Sequence, residues 1–449
     1  MTAPTPARRL GFVVAAAIVV ANMIGTGVFT SGGFQAAALH DPGTMMVAWV
    51  LGGVLALCGA AAYAELGAMM PEAGGEYVYL REAYHPVVGF LSGWVSLFAG
   101  FSAPIAGAAL AFAAYGGAIF PALKDPTSQK ALAVGLVVAM TALHGFDTVV
   151  GGRIQAGFST AKAALIVVFI GAALLVGGGD AGHFAAQGDG LATIGTEAFG
   201  VSLMYVSFAY SGWNAAAYIA GDIREPARTI PRALLAGTAL VTVLYVGLNL
   251  VFIWALGPER MATGADGGPI VEVGDAAARV LFGDGAGRLF SSMIALGLIS
   301  AVSAMVMAGP RVYAAMADDG ALPGLLAWRS ARGVPLVAVL LQGAVATTVV
   351  LLGDLAKVMR YVGFTLSIFA ALAVIAVPVL RVTRPDAPRP YRTWGYPVTP
   401  AIFVAGAAWI TYSQLHLELG EASYALGTIA AGAVVWAAST WWHRSRPAS

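Results

Sequence analysis

Long apolar runs, bounded by charges, prolines or glycine clusters, recur along the whole chain. Twelve of them reach bilayer-crossing length, at about 10–38, 43–70, 86–120, 130–149, 157–178, 197–221, 232–256, 286–316, 335–353, 358–380, 398–415 and 421–442. The first continues past Phe29 with no small-residue cleavage pattern, so it reads as a retained span and not a signal peptide. The longest polar connection, about 257–285, is rich in Gly and Asp and reads as an external loop carrying one short helix. The pattern predicts an all-α polytopic membrane protein with no soluble domain.

Composition agrees with the pattern and excludes the alternatives. Of 449 residues, 59% are apolar and only 10% charged, against about 25% charged in an average soluble chain. That excludes a soluble enzyme, a nucleic-acid binder and a disordered scaffold. The net charge of +1 names no partner. The sole cysteine, Cys58, lies inside an apolar run, which leaves no disulfide framework and no thiolate metal cluster. The six histidines, His40, His85, His144, His183, His416 and His443, have no ligand spacing, so neither a metal nor a cofactor is expected.

The basic residues orient the spans. With the N-terminus inside, sixteen arginines fall on the cytoplasmic side: Arg8, Arg9, Arg81, Arg153, Arg224, Arg228, Arg232, Arg311, Arg329, Arg332, Arg381, Arg384, Arg389, Arg392, Arg444 and Arg446. Seven basic residues fall outside, namely Lys124, Lys130, Arg260, Arg279, Arg288, Lys357 and Arg360. This asymmetry places both termini in the cytoplasm, gives an even number of spans and points to the cytoplasmic (inner) membrane. The remaining basic residue, Lys162, sits within the fifth span. A central lysine costs about 2.5–3.5 kcal/mol on insertion scales, so it is expected to face polar groups. Ser159 and Gln155 nearby also allow a lysine that snorkels to a span end.

Two spans are interrupted. The first carries Asn22-Met-Ile-Gly-Thr-Gly-Val-Phe29, with Gly25 and Gly27 in mid-membrane; the sixth carries Ser207-Phe-Ala-Tyr-Ser-Gly-Trp-Asn214. Each could be close packing alone. Together they occupy equivalent positions if the first ten spans form two five-span repeats, and paired interrupted segments point to a transporter's binding site. Unwound backbone at the midplane exposes amides and carbonyls that lipid cannot satisfy and a zwitterion can.

These segments resemble the amino acid–polyamine–organocation transporters. Ile24-Gly-Thr-Gly-Val-Phe29 is similar to the family's Gly-(Ser/Thr)-Gly signature. Glu65-Leu-Gly through Pro71-Glu-Ala-Gly-Gly-Glu-Tyr-Val-Tyr-Leu-Arg81 resembles the family's second-span exit and first cytoplasmic loop, and Phe208-Ala-Tyr-Ser-Gly-Trp-Asn214 followed by Glu225-Pro-Ala-Arg-Thr-Ile-Pro231 is similar to the sixth span and following loop of its L-type branch. Arg311-Val-Tyr-Ala-Ala-Met-Ala-Asp-Asp-Gly-Ala-Leu-Pro323 and Arg389-Pro-Tyr-Arg-Thr-Trp-Gly-Tyr-Pro397 resemble two later loops.

The resemblance implies a LeuT-type fold of two inverted repeats, residues 1–180 and 190–382, with peripheral spans 11 and 12 and the tail in 398–449. It implies that the amides of Thr26 and Gly27 hold a substrate carboxylate. Carbonyls of Met23 or Ile24, and of Phe208, Ala209 and Ser211, would receive the α-ammonium beside Gly25 and Gly212, with Phe208 as the external gate. Lys162 would stand in for a sodium ion, reaching the Gly25 carbonyl and the hydroxyl of Ser300 or Ser303. As supporting residues, Asn214 is expected to bond unwound backbone near the site or the cytoplasmic half of the first span, and Glu65 to be the structural partner of a nearby arginine or backbone group, a proton carrier being the alternative. Relatives in mammals work with a disulfide-linked glycoprotein, a partner not expected here because Cys58 lies within a span.

The expected function is sodium-independent exchange of neutral L-amino acids, small ones favoured. Proton-coupled symport, if Lys162 titrates, and a cationic amino acid or amine carrier are the alternatives. An intramembrane enzyme is disfavoured by the absence of His-Glu-x-x-His, Gly-x-Ser-x-Gly and paired membrane carboxylates. A channel is disfavoured by the absence of filter sequences.

Overall fold

A computed structural model describes residues 10–444 except 72–73, 147–148, 188–189 and 265–266. Of the predicted cytoplasmic arginines, Arg8, Arg9 and Arg446 lie outside the described residues, and the side chains of Arg153 and Arg444 are not described either.

The described residues form helices joined by short loops, with a single isolated bridge between Leu10 and Ile223 as the only extended pairing. In chain order the helices are α1 Phe12–Met23, α2 Thr26–Leu39, α3 Pro42–Met69, α4 Glu76–Ala83, α5 Pro86–Val95, α6 Ala103–Ile119, α7 Pro126–Phe146, α8 Val149–Val176 and α9 Glu197–Tyr210. They continue as α10 Ala215–Tyr218, α11 Pro226–Ala262, α12 Val273–Phe282, α13 Asp284–Asp318, α14 Leu336–Leu352, α15 Leu355–Thr383, α16 Val398–Leu417 and α17 Leu419–Arg444. Among the described residues, eight helical stretches are long and apolar enough to cross a bilayer; the segments Ala161–Val176 and Leu336–Leu352 are shorter apolar helices. The protein is a multi-pass membrane protein.

Local chemistry sets several boundaries. Asp41 caps α3 through the Thr44 amide at 2.7 Å, with Pro42 pre-shaped for the first turn. The third run is unbroken from Pro86 to Ile119, yet its middle, Ser96–Ser102, widens into a π-helix. Pro104 accounts for the widening, because it cannot donate to the carbonyl one turn back and its ring crowds that carbonyl. The external loop predicted at 257–285 contains the short helix α12.

The two ends of the molecule carry different polar groups. At the N-terminal face, Arg384 pairs with Glu82 at 2.9 Å, Arg329 bonds Asp318, and Arg332 donates to the Phe146 carbonyl at 2.8 Å. At the opposite face, Lys130 donates to the Leu351 carbonyl at 2.8 Å and Arg279 bridges Asp275 and Asp284. Between the faces, α3 packs on α11, α2 on α9, and α13 on α6 and α8.

Candidate functional site

Both predicted interruptions are real breaks. Between α1 and α2 the helix stops at Met23 and resumes at Thr26, leaving Ile24 and Gly25 outside helical geometry. Gly25 takes an extended conformation (φ −126°, ψ −148°), and no side chain caps α2, so the α2 N-terminus presents bare amides and the positive end of its dipole. Between α9 and α10, Ser211 is extended and Gly212 takes φ +96°, a backbone that side chains rarely adopt.

The fold brings the two breaks into contact. A methyl on Gly27 would collide with the Cα of Ala209, so only glycine allows α2 and α9 to meet. A methyl on Gly212 would lie 2.8 Å from the Asn22 carbonyl oxygen. Met23, Ile24, Thr26, Phe208 and Ala209 are buried at this junction, while Asn22 is exposed and Gly25, Ser211 and Gly212 are partly so. The accessible flank is the one where α1 and α10 lie. The α2–α9 end is sealed: the Ser31 hydroxyl donates to the Tyr205 carbonyl at 3.2 Å, and Phe34 stacks on Tyr205 at 5.4 Å. Tyr115 donates to the Phe29 carbonyl at 2.9 Å.

Lys162 reaches the first break. Its Nζ donates to the Ile24 carbonyl at 2.8 Å and lies 3.4 Å from the Ala21 carbonyl, while its stem lies against Gly297 of α13. The acceptor is therefore Ile24, one residue before the expected Gly25. The reason is local: Ile24 follows the last turn of α1, whose carbonyls lack donors within the helix and carry the negative end of the dipole. A cavity of about 10 Å³ beside Lys162, lined by Gly25, Phe29, Leu165 and Ile294 among others, has room for one water and not for an amino acid.

Other expected partners are distributed differently. The Ser303 hydroxyl bonds His144 Nε2 of α7 at 2.8 Å, because α13 turns it toward α7; Ser300 is buried one turn away. The Phe208 carbonyl accepts from both the amide (3.1 Å) and the hydroxyl (2.7 Å) of Ser211, so it closes the end of α9. The Met23 carbonyl accepts from the Tyr245 hydroxyl of α11 at 2.5 Å, and that hydroxyl also bonds the Gly25 backbone. Tyr245 thus staples the first break. Sequence reasoning missed it, since one tyrosine in an apolar run carries no spacing signal.

Glu65 lies away from the breaks, at the N-terminal face. Its carboxylate takes Arg381 in a two-pronged bond (3.0 and 2.7 Å) and the amide and hydroxyl of Thr393 at 2.7 Å each. Arg389 stands 3.6 Å away and caps the end of α15 through the Leu380 carbonyl. Asn214 turns from the backbone of the first break to Glu76 of α4, at 2.9 Å. At the opposite face, Arg360 of α15 donates to the Tyr205 hydroxyl and to Glu421, both at 3.0 Å.

Comparison with known proteins gives one consistent result. The family model described as "Amino acid permease" matches residues 10–435. The chain is 29% identical over 415 residues to the serine/threonine exchanger SteT of Bacillus subtilis, covering 91% of each chain. It is 28% identical over 389 residues to the human b(0,+)-type amino acid transporter 1, covering 86% of this chain and 78% of that one. It is 26% identical over 448 residues to the rat large neutral amino acids transporter small subunit 2, covering 97% and 81%.

Proposed function

The chain belongs to the amino acid permease family, and from that premise we propose that it is a sodium-independent exchanger of neutral L-amino acids working by alternating access. The observation that carries this reading is the contact between two helix breaks at Gly27 and Ala209. A zwitterion suits such a junction. Its carboxylate would take the amides of Thr26 and Gly27 at the uncapped N-terminus of α2. Its ammonium would take the carbonyls of Ala209 and Ser211, sharing those of Met23, Ile24 and Phe208 with their resident donors beside Gly25 and Gly212. Phe208, at the sealed end, would be the gate.

Sodium independence is supported by the engaged Lys162, whose ammonium already supplies a cation to the end of α1. Ser300 of α13, buried one turn from Ser303, would complete that side. The name of the Bacillus relative, a serine/threonine exchanger, favours small substrates. The breaks fall in the first and sixth predicted spans, which supports twelve spans in two inverted repeats, 1–180 and 190–382, with 398–449 peripheral. In this arrangement both termini are cytoplasmic, the membrane is the inner one, and the accessible flank faces the cytoplasm. Cys58 is buried in α3 and poorly placed for a disulfide to an ancillary subunit.

Counterflow in proteoliposomes tests the reading. Uptake of labelled alanine or serine should require internal amino acid and be indifferent to sodium. Strict sodium dependence overturns the lysine argument. Uptake driven by a pH gradient without internal amino acid establishes proton-coupled symport, and competition by arginine or amines establishes a cationic carrier.

A further inference from the structure

The transport cycle above leaves one buried acid without a role. Glu76, the first residue of α4, is 8% exposed. Its Oε1 accepts from the Tyr63 hydroxyl of α3 at 2.5 Å and from Asn214 Nδ2 at 2.9 Å, and Tyr218 of α10 bonds the same carboxyl. The titratable groups facing it are three tyrosines: Tyr63 from α3, Tyr218 from α10 and Tyr79 from α4 itself. No lysine, arginine or histidine compensates it among the described residues. The partners sit on opposite sides of a seam. Asn214 and Tyr218 belong to the second break, whereas α4 rests on α5 and α15.

We propose that Glu76 is a positioning residue for transport, whose carboxyl holds or releases the Asn214–Tyr218 segment as it exchanges a proton with water at the N-terminal face. The proposal rests on the transporter reading. Burial holds the Glu76 carboxyl above the usual carboxylate range, outweighing the donors from Tyr63, Asn214 and Tyr218 that pull it down. The clasped state therefore binds the proton more tightly than any state in which Glu76 meets water. Acid favours the clasp, and a rise of pH through the elevated value releases it. The proton leaves and returns at one face; none crosses the membrane.

Counterflow by the parent, Glu76→Gln and Tyr63→Phe across about pH 5 to 8 reads the proposal. Glutamine keeps an oxygen for Tyr63 and Asn214 and cannot titrate, so its profile should be flat and match the parent's acid limit. Removing the Tyr63 donor should move the parent's midpoint up by about one pH unit. A Glu76→Gln protein that keeps the parent's pH profile, or a Tyr63→Phe midpoint that stays or falls, overturns the proposal. Hydrogen exchange supplies a readout independent of transport. At equal pH the segment 211–218 should exchange at least about tenfold faster in Glu76→Ala than in Glu76→Gln. Equal rates overturn the clasp. A parent with no counterflow of any amino acid overturns the transporter reading, and the exchange contrast then still decides on the clasp.

Discussion

At the scale of residues, the site is built by a few side chains that hold backbone in place. Lys162 and Tyr245 occupy consecutive carbonyls, Ile24 and Met23, at the end of α1. Lys162→Ala should cut counterflow by about two orders of magnitude with the fold intact, since it removes a charged donor from buried backbone; normal uptake by that variant would remove the lysine from the mechanism. Tyr245→Phe keeps the ring and deletes the staple, so its loss should be smaller, about tenfold, in the same assay. Lys162 was legible in the sequence because a charge deep in an apolar run is costly and needs a reason. Tyr245 was not, because its ring satisfies the apolar pattern and only the fold reveals where its hydroxyl points. Glu76 stood inside a recognised loop motif, but nothing in the motif showed that the chain would bury it against Asn214.

At the scale of elements, the breaks matter more than the helices. Gly27→Ala should abolish transport by forcing α2 away from α9, a displacement visible as loss of substrate binding in a protein that still inserts in the membrane. The positions of both breaks were readable from paired small residues in two otherwise apolar spans. The π-turn at Ser96–Ser102 was not read, although Pro104, its cause, stands in plain view; a proline inside a long apolar run signals a distortion without saying which kind. The end of α15 is held differently, by the Glu65 carboxylate among Arg381, Thr393 and Arg389. Glu65→Ala leaves a buried cation cluster without its anion and should cost about 3–5 kcal/mol, read as a fall in melting temperature with little change in KM. The arginine partner of Glu65 was foreseeable from charge alone, but its three-part composition required segments more than three hundred residues apart to meet.

At the scale of the whole molecule, the halves of the second broken helix are tied to different neighbours. The first half, α9, is fastened to α15 and α17 by Tyr205, Arg360 and Glu421, and the segment after the break to α3 and α4 by Asn214, Tyr63 and Glu76. A substrate that bridges the breaks must bind this arrangement and not the unfolded chain. At about one hundred times its Kd, the right amino acid should add about 2.7 kcal/mol of apparent stability. A thermal-shift panel in detergent therefore ranks substrates, and a uniform absence of shifts would argue against binding at the junction. The apolar helices were readable from hydropathy because every helix must satisfy the same solvent. The ties between helices were not, because they depend on which polar groups meet once the apolar surfaces are matched.

Lys162 has one more consequence, a thermodynamic one. A cation that is part of the polypeptide is present at the same concentration on both sides of the membrane and is never consumed. In the proposed reading, with Lys162 keeping its charge, no sodium gradient can therefore do work through that position. If nothing else is coupled, the steepest gradient the protein can build for one amino acid is set by the gradient of the one it returns. Such a carrier equalises ratios among amino acids across the membrane, and any net accumulation must be supplied by another system.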